Sequence, residues 1–197
     1  MRWIVQRRRF RSVLLVLVLL ATLALPAASV VAAVRWRTVH YQNFEGTFPS
    51  GKWITYDGSY TSTQGVWAKG AGGFNGTFAA HPRGGVTPYN YNTQTWMRYG
   101  PFSLAGATDA RMTFKYRVDT EVGYDFLSWA YSCNGISNWT AKTVSGNHAG
   151  DWVSATFSLK PCIGKTEVYV QFTFTSDQSV NYQGAWVDNV KIQKFSS

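Results

Sequence analysis

The sequence predicts an exported all-β domain, an antiparallel β-sandwich, behind an N-terminal signal segment. Three observations predict it. Past residue 33 no stretch carries the apolar spacing of an amphipathic helix. Short runs of apolar/polar alternation recur instead, the mark of strands with one buried and one wet face. Turn-forming clusters separate these runs: Pro49-Ser50-Gly51, Asp57-Gly58, Asn134-Gly135, Gly146-Asn147 and residues 181–184.

The first residues read as a secretory signal. Arg2, Arg7, Arg8, Arg9 and Arg11 precede an apolar run over residues 13–25, Pro26 breaks it, and small residues lead to Ala33. Val31-Ala32-Ala33 places the cut after Ala33, with the bond after Ala32 nearly as good. The domains are then residues 1–33, a helical signal, and residues 34–197, one module. Left uncut, residues 13–34 are long enough to span a bilayer and anchor the module with its basic end in the cytoplasm. Arg7-Arg8-Arg9-Phe10 resembles a twin-arginine motif, although the Leu/Val-rich run suits the general secretory route better. The expected location is extracellular, free or anchored.

The charge of the whole chain is +9, and removing the five signal arginines leaves +4. With acids and bases mixed along the rest, this is not the footprint of a nucleic-acid binder. Cys133 and Cys162 are the two cysteines. In an exported chain they read as a disulfide, closing a loop of roughly 30 residues worth about 3 kcal/mol. Two reduced, buried thiols are the alternative. Neither has a Cys or His at ligand spacing, so zinc is not indicated.

The strands follow in order. Residues 36–44, 52–56 and 94–99 are short apolar-rich runs. Residues 61–92 are rich in Gly, Thr, Asn and aromatics, and read as a long loop region or several short edge strands. Residues 111–118 alternate strictly, with Met112, Phe114, Tyr116 and Val118 on one face. Residues 124–133 are apolar on both faces and read as a central strand. Residues 151–159 turn Val153, Ala155, Phe157 and Leu159 inward, and residues 167–175 do the same with Val168, Val170, Phe172 and Phe174. Residues 185–194 close the set.

Three stretches carry a resemblance. The first is Asn43-Phe44-Glu45-Gly46 with Phe48-Pro49-Ser50-Gly51-Lys52-Trp53. The second joins Phe114-Lys115-Tyr116-Arg117 to Tyr124-Asp125-Phe126-Leu127, Ser132-Cys133-Asn134-Gly135 and Asn138-Trp139. The third is Gly184-Ala185-Trp186-Val187-Asp188-Asn189-Val190-Lys191-Ile192. Together they resemble choice-of-anchor J domains, jelly-roll modules similar to MAM domains and to the C-terminal module of immune-inhibitor-A-type secreted metalloproteases. Two departures stand: Asn189 replaces the usual second Asp of the closing strand, and the cysteines do not follow the MAM pattern. The resemblance implies a jelly-roll sandwich used for adhesion or for carbohydrate or protein binding, often with a structural Ca²⁺.

Asp188 draws attention by itself. Regular alternation puts it on one face with Trp186, Val190 and Ile192, and a buried carboxylate needs a partner. Ca²⁺ would supply one, with Glu45 as second ligand by resemblance. The alternative is that Asp188 caps a turn through backbone N–H groups. Asp119, Glu121 and Asp125 cluster at a strand turn. They lack the carboxylate spacing of jelly-roll glycosidases and read better as a solvated turn with at most a minor ion contact. His40, His81 and His148 lie far apart, and no Gly-x-Ser-x-Gly elbow is present.

The aromatics are the better functional clue. Trp36, Trp53, Trp129 and Trp186 suit a core. Tyr89, Tyr91 and Arg83, in a Pro/Gly-rich polar stretch, and Trp67 nearby, are the candidate ligand-binding residues. Phe74 and Phe78 read as rings folded back over an open end. The two sequons at Asn75 and Asn138 carry little weight. The expected function is a non-catalytic binding or adhesion module for carbohydrate or an extracellular protein, Ca²⁺-stabilised. The rivals are a small jelly-roll glycoside hydrolase using the 119–125 acids and a structural envelope protein on an uncut anchor.

Overall fold

Alternation along the chain resolves into two facing sheets. The computed structural model describes residues 34–58, 65–146 and 150–196. The expected signal of residues 1–33 lies outside them, as do residues 59–64 and His148. Among the described residues the strands are β1 (Arg35–Gln42), β2 (Trp53–Asp57), β3 (Ala68–Ala71), β4 (Phe78–His81), β5 (Gln94–Phe102), β6 (Asp109–Asp119), β7 (Phe126–Ser132), β8 (Thr140–Val144), β9 (Val153–Ser158), β10 (Val168–Thr175) and β11 (Gly184–Ser196). A single 3-10 turn, Lys160–Cys162, follows β9.

Every pairing is antiparallel. The six-stranded sheet runs β3-β4-β11-β6-β9, with β1 also on β11, and the five-stranded sheet runs β2-β5-β10-β7-β8. β6 occupies one edge of β11, so β1 and β4 share the other. β1 takes residues 190–196, and β4 pairs at Val187. The expected all-β sandwich is the fold observed.

The core lies between the sheets. β6 alternates without a break, burying Ala110, Met112, Phe114, Tyr116 and Val118. Phe114 meets Phe172 of β10 and Trp129 of β7 edge to face at 4.9 and 5.1 Å, so three strands from both sheets converge on one ring. Cys133, just past β7, is bonded to Cys162 in the 3-10 turn after β9. The disulfide thereby ties one sheet to the other.

The expected strands are present within a few residues. Residues 61–92 contain β3 and β4, whose four-residue length explains why no alternation showed. β8 was not anticipated. Its residues are almost all exposed, so it carries no apolar pattern. β7 is interior, between β10 and β8, but β10 takes the middle of the sheet.

One expectation is corrected. Asp188 does not share a face with Val190 and Ile192. The register on β6 slips between Asp188 and Lys191, and Asn189 has φ of 50°. A β-bulge inserts one residue and reverses the alternation beyond it. Before the bulge Ala185 and Val187 point into the core, and after it Val190 and Ile192 do. Asp188 therefore lies with Trp186 on the outer side, packed under the 72–78 loop.

Candidate functional site

Burial and local hydrogen bonds separate the candidate residues into four places. The first is the bulge. Asp188 is 1 % exposed, and its carboxylate accepts from Phe74 N at 2.8 Å and Asn189 N at 2.6 Å. Burial, then the charge of Glu45, push its pKa up to about 6 against the pull of those two N–H groups. Glu45 Oε1 accepts from Thr77 N and Phe78 N, each at 2.9 Å. The structure thus brings the two expected metal residues to the same loop, and both cap its backbone. Beside them Tyr41, Asn43, Glu45, Phe74, Asn75, Gly76 and Asn189 line a recess of about 270 Å³. Of the expected pair only Glu45 faces this recess, since both oxygens of Asp188 are taken by backbone N–H groups beneath the loop.

The second place is one end of the sandwich. Arg83, Tyr89, Tyr91 and Asn181, with Pro88 and Asn90, line a pocket of about 410 Å³. Tyr91 is half exposed there, and Arg83 donates to Pro88 O at 2.6 Å. Two expectations fail in detail. Tyr89 is 1 % exposed: its ring packs edge-on against Phe174, and its hydroxyl bonds the Asp125 carboxylate. Trp67 is fully buried, and its indole N–H reaches Thr95 O at 3.3 Å. Each polar handle found a buried acceptor, so neither ring face is available for stacking on a ligand. Phe74 is half-buried on the outer side of the six-stranded sheet under Lys115, whereas Phe78, also half-buried, lies under Lys69 on the face of β4 that carries the core residue Ala80.

The third place is acidic. Carboxylate oxygens of Glu121, Asp125 and Asp177 lie within 4.8 Å of one another. Asp125 is fully buried, bonded to Tyr89 Oη and accepting from Asp177 N at 2.8 Å. Burial pushes its pKa upward. Asp177, 52 residues away, was not anticipated, and Asp119 is not part of the group. Asp125 is sealed beneath Tyr89 and presents no acid to a cleft.

The fourth place was missed by sequence reasoning. The outer face of the five-stranded sheet carries two ranks of side chains across all five strands. Register aligns Tyr56, Trp96, Thr173, Ser128 and Thr143 in one rank, and Ile54, Arg98, Gln171, Ala130 and Ala141 in the other. Tyr56 and Trp96 stack at 5.0 Å and 24°. The Arg98 guanidinium lies between two indoles, 4.6 Å from Trp96 and 4.7 Å from Trp139. Gln171 Oε1 fixes it, accepting from Nε at 3.0 Å and Nη2 at 2.8 Å. The result is a platform whose rings, Tyr56, Trp96 and Trp139, gather around Arg98, with small and hydroxyl side chains of the neighbouring strands beside them. The signal for it was Trp96 falling on the polar side of its strand, two residues from Arg98.

No family model matches the chain, and no curated protein does. Solved structures do resemble it. The K3 cleaved adhesin domain of Lys-gingipain from Porphyromonas gingivalis W83 superimposes with a TM-score of 0.59 at 18 % identity, over 81 % of this chain and 99 % of that one. The carbohydrate-binding module TmCBM61, solved with β-1,4-galactotriose, gives 0.52 at 11 % identity, over 78 % and 94 %. The CBM22-1 xylan-binding domain of Xyn10C from Paenibacillus barcinonensis gives 0.50 at 11 % identity, over 84 % and 99 %. At these identities the likeness is one of fold, a β-sandwich shared with adhesin and carbohydrate-binding modules.

Proposed function

We propose that this chain is an exported, non-catalytic carbohydrate-binding module that grips a neutral glycan across the outer face of its five-stranded sheet. The observation that carries the reading is the platform itself. Tyr56, Trp96 and Trp139 bring rings to an outer sheet face, where a monomer's own core gives them no work, and Thr173, Ser128 and Thr143 stand ready for sugar hydroxyls. Sandwich modules of the same fold that bind β-1,4-galactotriose and xylan add to it. Calorimetry with galacto- and xylo-oligosaccharides tests the reading. Trp96→Ala and Tyr56→Ala should each weaken binding by about tenfold or more, as loss of a hot-spot ring does. Unchanged affinity in both variants would remove the platform from the account.

Export by residues 1–33, with cutting or as an anchor, belongs to the same reading, as does a structural Ca²⁺ held by Glu45 and Asp188. The cation is supported by two carboxylates drawn to one loop, with burial and their mutual repulsion raising the pKa of Asp188 to about 6. Bound Ca²⁺ would neutralise that repulsion and fix the 72–78 loop. Thermal unfolding in Ca²⁺ and in chelator should differ, the midpoint rising with Ca²⁺ by mass action. Glu45→Gln and Asp188→Asn should abolish the rise. An extracellular protein is the second partner class, favoured by the exposed Tyr91, Val180 and Tyr182 around the end pocket.

A further inference from the structure

The six-stranded sheet has an outer face of a different chemistry. β6 sends Arg111, Thr113, Lys115 and Arg117 outward, and β11 adds Lys191 opposite Thr113. Each of these cations lies over a ring, and Arg117 also feels the charge of Asp119 two residues on. Arg111 lies 4.1 Å over Trp36, Lys115 4.3 Å over Phe74, Arg117 4.0 Å over Trp186, and Lys191 5.3 Å over Tyr41. The ion pair of Lys160 with Asp109, at 3.4 Å, involves none of these four cations. Asp188, the nearest acid by register, is opposite Lys115 but 1 % exposed and engaged by two backbone N–H groups.

Between the two lysines lies a groove of about 410 Å³. Tyr41, Thr113, Ser154, Thr156 and Asn189 line it together with Lys115 and Lys191. Lys115 is aimed along its wall by a 2.6 Å bond to Ser154 Oγ, and half of the Tyr41 surface is open. A cation pair over hydroxyls, an amide and an exposed ring suits a ligand with a carboxylate and several hydroxyls on one ring. Ammonium groups meet the carboxylate, and Thr, Ser and Asn meet the hydroxyls.

We propose that this groove is a second saccharide site, specific for an acidic sugar of the uronate class, on the face opposite the aromatic platform. It does not rest on the platform. The two sites share no residue, and either can fail alone. A purely charge-driven polyanion contact would not need the hydroxyl lining, and the mildly basic domain offers no long cationic track.

The test is calorimetry at low salt with tetragalacturonate, its methyl ester, and a single-stranded oligonucleotide of equal charge, on the domain of residues 34–197 and on Lys115→Gln/Lys191→Gln. Tetragalacturonate should bind, and the methyl ester about tenfold or more weaker, as loss of charge-assisted bonds requires. The double variant should show the same loss while keeping its thermal midpoint and its affinity for the neutral oligosaccharides. Equal binding of the ester, an unaffected double variant, or equal affinity for the oligonucleotide would each overturn the proposal. Trp96→Ala should leave tetragalacturonate binding intact, and a parallel loss there would assign the acidic sugar to the platform instead.

Discussion

His81 shows what burial does to one side chain. It is fully buried, its ring 4.7 Å from Trp186, with Nε2 beside Gln183 O and Nδ1 accepting from Arg83 N. Burial pushes its pKa from 6.5 down to about 4, and Arg83 and Arg117 push the same way against the Gln183 carbonyl. The unfolded chain takes its proton near 6.5 while the folded one refuses it until about 4. The stability involved is therefore complete above pH 6.5 and is lost as the pH falls toward 4, about 3 kcal/mol at most. Urea midpoints at pH 7.5 and 5 should show a fall that shrinks in His81→Gln. It should not vanish, because burial also depresses His40, to about 4, and His40 accepts from Trp53 Nε1 at 2.9 Å. Asp188, raised to about 6, gains stability as the pH falls and offsets part of the loss, so an equal pH response in wild type and His81→Gln would refute the account. Alternation does not announce the burial of His81 or the half-burial of His40, because the rings packed against them, Trp186 and Trp53, come from elsewhere in the chain.

At the scale of an element, β11 decides most. It is the longest strand, shared by β6, β1 and β4, and its bulge sets which residues face the core. The bulge depends on a positive φ at Asn189, a conformation Asn and Gly tolerate and β-branched residues resist. Asn189→Val should cost about 1–3 kcal/mol in stability, whereas Asn189→Gly should be nearly neutral, both read from denaturant midpoints. An Asn189→Val protein as stable as the wild type would mean that the bulge is not held by this residue's backbone. Because the bulge is one extra residue in an otherwise regular run, the alternation of Trp186, Asp188, Val190 and Ile192 extrapolated straight through it and placed Asp188 inside. The partner strands, not the run itself, show the slip. The same reasoning explains the platform: Tyr56 and Trp96 are ordinary strand residues until register sets them side by side.

For the whole molecule, the Cys133–Cys162 bond is the one covalent link between the sheets among the described residues. It closes a loop with a sequence separation of 29. Replacing both cysteines with serine should lower stability by about 3 kcal/mol in the chain-entropy model. Denaturant midpoints of the oxidised wild type and the double serine variant measure it. No difference would mean that the aromatic core around Phe114 holds the sheets unaided. The two outer faces of the sandwich also acquire their identities only at this scale. One collects rings and hydroxyls, the other cations over rings, and both sets come from strands distant in sequence.

The sequence by itself determined the all-β class, most strand positions, the pairing of the two cysteines as the simplest choice, and the closeness of Arg83 to Tyr91. Those features are local, or follow from period-two burial, and local physics writes them into short windows. It also drew Glu45 and Asp188 together, through the resemblance. Only the tertiary structure decided that Tyr89 and Trp67 are sealed in the core, since a hydroxyl or indole N–H is buried only when a remote acceptor such as Asp125 or Thr95 arrives to satisfy it. It alone decided the outward turn of Asp188, the joining of Asp177 to Asp125, and the alignment of Tyr56 with Trp96. Each of these depends on register between strands, and register is set by the packing of the whole sandwich rather than by any one strand.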